Sequence, residues 1–341
     1  MDYYYIGLDA HIKTSSFVVL DTKGQEISKV KVETREKDLL SVVRGLKGKP
    51  RKLVLEEMPL SQWLYLLFKK EGVEEVVVCN PVFLGKNCRS KTDYNDALHL
   101  ANELRCGHIS SVYHADDPFI KMRSLVSNYE DLNTSCVRAK NRYKSIFRSR
   151  GLRVKGGPSF YKKRANLDLL EYREDRFVTE SLFKQIEDLT EQKEKFKRCF
   201  LEYKRKNITI KNLTTIPGID IIRSMAIAGI VSNPHRFKNK HKFWSYCMLV
   251  KHKRISDGKV YGTRVRYVRK ELKGVFIVAA ESNLKTRSSL KRQYDELCSK
   301  GLDRRKSRKA IARKLAGIAL SIMKKGGKYD DKRFEKLKSL K

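Results

Sequence analysis

Two short apolar runs each end in an acid: Tyr4-Tyr5-Ile6-Gly7-Leu8-Asp9 and Lys52-Leu53-Val54-Leu55-Glu56. Their length and β-branched content read as buried strands. A third run, Glu75-Val76-Val77-Val78-Cys79-Asn80-Pro81, is closed by a proline, which cannot donate to a ladder. Ser15-Ser16-Phe17-Val18-Val19-Leu20 gives another strand, and the Asp21-Thr22-Lys23-Gly24 turn leads to one more over residues 27–32. Helical patterns fall over residues 37–46 and around Trp63, Leu64, Leu66, Leu67 and Phe68, all five expected on the buried side. The N-terminal part therefore reads as α/β.

The next helical pattern, over residues 94–106, opens on Lys91-Thr92-Asp93-Tyr94-Asn95-Asp96-Ala97. Asp93 and Asp96, three apart, project from one helical face. Like charges that close raise each other's pKa unless a cation neutralises them. Together with Asp9 and Glu56 they suggest a divalent-metal site of the kind that holds cations ~4 Å apart for phosphoryl chemistry. Mg²⁺ suits such a site, because it takes oxygen ligands and keeps several waters. The plainer reading makes Asp9 a strand end, Glu56 a surface acid and Asp93 a helix cap. Glu57 competes with Glu56, since strand alternation points only one of them to a given face.

Composition names the partner class. Of 341 residues, 75 are Lys or Arg and 39 are Asp or Glu, a net charge of +36. That imbalance suits a polyanion, whose counterions are released on binding. No stretch approaches the ~20 apolar residues of a membrane span, and Met1-Asp2-Tyr3 does not begin a secretory signal. A cytoplasmic protein without a membrane partner is expected. The 7 cysteines are scattered without a Cys-x-x-Cys pair, which suits reduced thiols.

Beyond residue 118 strand signals vanish. A helix is expected over residues 120–149, then a break at Gly156-Gly157-Pro158. Over residues 180–206, Leu182, Ile186, Leu189, Phe196 and Phe200 form one stripe, a possible coiled-coil seam that Lys193 interrupts. Ile216-Pro217-Gly218-Ile219 reads as an interhelical turn, residues 253–262 as a polar loop before a basic helix, and residues 308–323 as a last amphipathic helix. The expected domains are 1–118, 119–210 and 211–341: α/β, a helical arm, and a mostly helical C-terminal domain.

The chain resembles the DEDD transposases of the IS-one-ten insertion-sequence family, which includes Piv-type invertases and bridge-RNA-guided recombinases. The resemblance rests on Tyr5-Ile6-Gly7-Leu8-Asp9, the strand ending in Glu56, Val77-Val78-Cys79-Asn80-Pro81, the Lys91-Thr92-Asp93-x-x-Asp96-Ala97 signature and Ile216-Pro217-Gly218-Ile219. It implies an RNase H-like, RuvC-type first domain with Asp9, Glu56, Asp93 and Asp96 as catalytic Mg²⁺ ligands. It also implies a nucleophilic serine in the C-terminal domain. Ser256, in Ser256-Asp257-Gly258-Lys259-Val260-Tyr261-Gly262, stands at the matching position, with Asp257 where the family has Gly.

A serine hydroxyl needs a base, a metal or positive charge to become a nucleophile. Lys253, Arg254, Arg264 and Arg266 are candidates to supply that charge. On residues alone, Ser256-Asp257-Gly258 reads as an ordinary polar turn, and it is the resemblance that makes Ser256 the nucleophile. Lys91, Arg269 and the run from Arg304 to Lys314 are candidate backbone contacts. Gly218 is the candidate for close phosphate approach at a helix N-terminus, a plain turn being the other reading.

The expected function is DNA strand cleavage and exchange through a covalent phosphoserine. The resemblance implies donor and target DNA, a noncoding guide RNA, and a dimer or tetramer as partners. The rivals are a RuvC-like endonuclease using metal-activated water and a non-catalytic nucleic-acid-binding protein.

Overall fold

The computed structural model describes residues 2–80, 90, 92–153, 157–161, 164–264 and 270–331. The chain divides into two compact units, Met1–Asp116 and Asp117–Lys341. Lys91, Arg266, Arg269, Pro81, Cys88 and Gly156 lie outside the described residues.

The first unit is a six-stranded sheet in the order β3-β2-β1-β4-β5-β6. Its strands are β1 (Tyr4–Ala10), β2 (Thr14–Leu20), β3 (Glu26–Glu33), β4 (Arg51–Glu56), β5 (Glu75–Cys79) and β6 (Ser111–Val112). The β1–β2 and β2–β3 pairs are antiparallel, β1–β4 and β4–β5 are parallel, and β6 closes the edge antiparallel to β5. The two-residue β6 carries no sequence pattern long enough to announce it.

Period-two alternation divides the side chains between the sheet faces. Ile6, Leu8, Leu53, Leu55, Val76 and Val78 pack on one side with Leu39 and Val43 of α1 (Glu36–Gly45) and Leu64 and Phe68 of α2 (Ser61–Lys70). Val54, Val77 and Cys79 pack on the other with Leu100 and Leu104 of α3 (Asp93–Arg105). Trp63, expected inside, is 39% exposed. At ~100° per residue the buried stripe of α2 runs through Ser61, Leu64, Leu67 and Phe68, and Trp63 falls off it.

α3 sits close to β1 because position 7 has no side chain. A Cβ on Gly7 would lie 1.9 Å from the Ala97 carbonyl oxygen and 2.7 Å from the Ala101 amide nitrogen. This close seat fixes where the acidic first turn of α3 stands above the sheet.

The second unit is mainly helical. Two long helices, α4 (Pro118–Ser149) and α5 (Arg173–Lys206), pack along each other. Ala139, Tyr143 and Phe147 meet Phe183 and Ile186 at one end, while Tyr129 meets Phe196 and Phe200 at the other. Lys193, on the expected stripe, donates to Asn133 Oδ1 at 2.7 Å, so its ammonium has a partner between the helices.

Met122, Val126 and Phe200 extend the α4–α5 pair into the principal core. That core is completed by α6 (Ile208–Leu213), α7 (Ile221–Val231), α8 (Lys240–Tyr246), α9 (Lys270–Asn283), α10 (Ser289–Ser299) and α11 (Arg304–Lys325). Residues expected to form a polar loop instead make a hairpin, β7 (His252–Ser256) and β8 (Lys259–Arg264). The local signal was Asp-Gly between β-prone residues, a strong short-range hairpin cue. Among the described residues no helix is long and apolar enough to cross a membrane.

Candidate metal centre and hairpin serine

Asp9 closes the part of β1 that faces α3. Ile6, Leu8 and Ala10 point to the α1–α2 side, so Gly7 and Asp9 point to the other. Leu8 pairs with Leu55, so Glu56 follows on β4 beside Asp9, and Val54 gives Glu56 the same face. The opposite parity sends Glu57 away; its backbone N–H donates to the Cys79 carbonyl at 2.8 Å. Glu56 thus shares the sheet face of Asp9, and Glu57 does not.

Thr92 caps α3, its hydroxyl accepting from the Asn95 amide at 3.2 Å. Asp93 and Asp96 both lie in the first turn, where the helix dipole favours negative charge. Asp93 Oδ2 accepts from Lys31 Nζ of β3 at 2.8 Å. Asp93 Oδ1 lies 3.8 Å from His11 Nε2, and the same nitrogen lies 3.3 Å from Asp9 Oδ2. One ligand atom from each of Asp9, His11 and Asp93 falls within 4.8 Å of the others.

Electrostatics mark the cluster as cation-seeking. Burial pushes the Asp9 carboxyl above the usual carboxylate range, Asp93 and Asp96 push it further, and His11 opposes them. Lys31 holds Asp93 below that range. Burial first, then the Glu56 carboxylate, pushes the Cys79 thiol up to about 12. A half-buried acid beside further acids, with an imidazole in reach, is a donor set that fits a divalent cation.

His11 had no place in the sequence-based expectation. It stands two residues beyond Asp9, the spacing that returns to the same side of an extended chain. An Asp-x-His pair at a strand end was the available signal.

Ser256 ends β7 and pairs with Lys259 across the hairpin. Asp257 and Gly258, at φ +49° and +69°, form the turn, as a type I′ turn requires of both central residues. Asp tolerates that left-handed conformation better than most residues, so it can replace glycine here at modest cost. Lys253, Arg254 and Arg264 are exposed on the same hairpin, and a bulge between Arg254 and Ile255 interrupts the alternation ahead of Ser256. His252 is engaged elsewhere, its Nε2 lying 2.8 Å from Ser245 Oγ.

A model of DEDD transposases of the IS110 type matches residues 6–149, and a model of the transposase IS116/IS110/IS902 family matches residues 210–295. The chain belongs to the IS110-type transposases. It is an enzyme that acts on DNA. No protein of curated function matches it by sequence. The acid cluster lies in the first matched segment and the serine hairpin in the second.

Two further features of the transposase bear on DNA contact. Gly218 has φ +80°, and a Cβ there would lie 2.3 Å from the Ala279 carbonyl of α9. Asn283 Nδ2 donates to the Pro217 carbonyl at 2.9 Å, binding the turn to the same helix. Asp220 caps α7 through the Arg223 amide at 2.8 Å, so its carboxylate stands where a phosphate would approach. Packing against α9 therefore accounts for Gly218. On α11, Arg308 pairs with Glu281 at 2.5 Å. Lys309 is held below the usual lysine range by burial, then by Lys273, Lys251 and Arg313, which marks a concentration of positive charge from three segments.

Proposed function

We propose that this transposase cuts and rejoins DNA through a covalent phosphoserine, with Mg²⁺ held by Asp9, Glu56, Asp93 and Asp96. The supporting observation is the convergence at one end of the sheet. Strand parity gives Asp9 and Glu56 a common face, and the Gly7 seat brings the first turn of α3 to it. When bound, the metal supplies Lewis-acid polarisation and neutralises phosphate charge. The acids hold it, and Thr92 fixes the helix start that carries two of them.

Ser256 Oγ attacks a DNA phosphorus. An Oγ–P bond forms, a P–O bond of the backbone breaks, the serine proton passes to solvent, and the departing oxygen leaves with the cleaved strand. Attack by a hydroxyl of another strand reverses the exchange and frees the serine. Lys253, Arg254 and Arg264 stabilise charge on the phosphate, with Arg266 continuing the same basic segment. The exposed hairpin supports this role, since an extended DNA backbone can reach it.

The first unit is RuvC-like in this reading. The α4–α5 pair serves as a coiled-coil arm of a dimer or tetramer, because exchange cuts several strands. A noncoding RNA guides the choice of donor and target, and the +36 charge is ample for two nucleic acids. Lys91 and Arg269 join the backbone contacts, and the enzyme works in the cytoplasm at the nucleoid.

A second reading, hydrolysis by water at the acids alone, is favoured by one observation: Asp9 and Asp93 converge, with His11, within the first unit. Denaturing gels of reactions on a labelled DNA substrate separate the two. A protein–DNA adduct present in the parent and lost in Ser256→Ala supports the serine. Normal cleavage by Ser256→Ala with no adduct supports hydrolysis. Unchanged activity in Asp93→Asn and Asp96→Asn would reject both.

A further inference from the structure

We infer that His11 is a direct nitrogen ligand of the divalent metal, which gives this transposase a mixed nitrogen–oxygen centre. The inference rests on the metal-site reading above and extends it to a residue outside the four acids.

The geometry carries it. His11 Nε2 stands 3.3 Å from Asp9 Oδ2 and 3.8 Å from Asp93 Oδ1, between the two carboxylates. Ligands at ~2.1 Å from one metal and at right angles to each other lie ~3 Å apart, and opposite ligands ~4.2 Å apart. Both separations from His11 fall in that interval, and the three atoms all lie within 4.8 Å of one another, so a cation can engage all three after side-chain adjustment. The His11 side chain is 59% exposed and belongs to no apolar cluster, so packing does not explain its placement.

Lys31 shows how the cluster meets its need for a cation without metal. It reaches Asp93 Oδ2, leaving Oδ1 turned towards His11. A metal bound by Asp9, His11 and Asp93 therefore does not have to displace Lys31 from its oxygen.

The chemical consequence is selectivity. Mg²⁺ takes oxygen ligands and retains water, whereas imidazole suits later divalent metals. A nitrogen in the donor set moves preference towards Mn²⁺ and Co²⁺ relative to Mg²⁺. His11 thus tunes which ion the acids hold, beyond what the acids alone would choose.

The test is pulsed EPR on the full-length protein loaded with Mn²⁺, beside a titration of Mn²⁺ and Mg²⁺ affinity. The parent is expected to show imidazole nitrogen coupling to bound Mn²⁺. His11→Gln is expected to lose that coupling, keep its circular dichroism, and bind Mn²⁺ about tenfold more weakly, with a smaller change for Mg²⁺. Mn²⁺ that binds through the acids without nitrogen coupling, or coupling that persists in His11→Gln, overturns the inference and leaves the acid site standing. Mn²⁺ affinity unchanged in Asp9→Asn and Asp93→Asn overturns the metal-site reading itself.

Discussion

Gly7 of β1 lies so close to Ala97 of α3 that a methyl group at position 7 would stand 1.9 Å from the Ala97 carbonyl oxygen. The obstacle is helix backbone, which cannot rotate aside as a long side chain would. Asp93 and Asp96 are carried on that helix, so one missing Cβ sets the height of half the acid cluster.

Gly7→Ala should cost roughly 1–3 kcal/mol, towards the upper end because the clash is with backbone. It should also weaken Mn²⁺ binding, since α3 must lift away from β1. Chemical denaturation with a metal titration checks both. A Gly7→Ala protein with parental stability would mean that the helix seat is compliant.

Asp9 predicts a pH effect. Burial raises its native pKa, so the folded chain holds this proton more tightly than the unfolded chain does. Stability from this group is greatest below the usual carboxylate value and declines as pH rises through the raised native value. Metal-free Asp9→Asn should therefore melt higher than the parent at neutral pH, and the two should converge in acid. A lower melting temperature for the variant at neutral pH would contradict this.

Lys31 neutralises Asp93 at 2.8 Å. Removing it in Lys31→Met leaves the acids less compensated, so Mn²⁺ should bind about threefold to tenfold more tightly at low salt. Isothermal titration reads the change. Weaker binding would assign Lys31 a supporting part in the site.

Lys309 is crowded by other cations. Burial and then Lys273, Lys251 and Arg313 lower its native pKa. Its charge therefore opposes folding below that value, and the cost is lifted as pH rises through it. Lys309→Gln should raise the melting temperature at neutral pH and low salt, weaken DNA binding, and reduce the salt slope by ~1 if Lys309 meets a phosphate. Unchanged stability and slope would make it an ordinary solvated lysine.

Asp257 occupies a left-handed position in the turn beside Ser256. Asp257→Ala should destabilise the hairpin by ~1 kcal/mol, and Asp257→Gly should not. Hydrogen exchange at the Lys259 amide should then be about fivefold faster in the alanine variant, a readout independent of catalysis. Equal rates in both variants would show that the hairpin does not depend on this turn.

Much of this transposase was legible in its sequence. Apolar strand-length runs, helical stripes and the Lys-Thr-Asp-x-x-Asp-Ala signature determined an α/β unit with Asp9 and Glu56 at strand ends and Asp93 and Asp96 at a helix start, followed by helices. These signals are local, because strand and helix periods are written in consecutive residues. Tertiary structure decided what depends on facing partners. It put Glu56 rather than Glu57 on the face of Asp9 by the parity of β4 against its two cores, and moved Trp63 off the buried stripe of α2. It turned Gly218 inward against Ala279, and set the His11 imidazole between Asp9 and Asp93. A residue's spacing states which side of its own element it occupies; only the packed neighbour states what waits on that side.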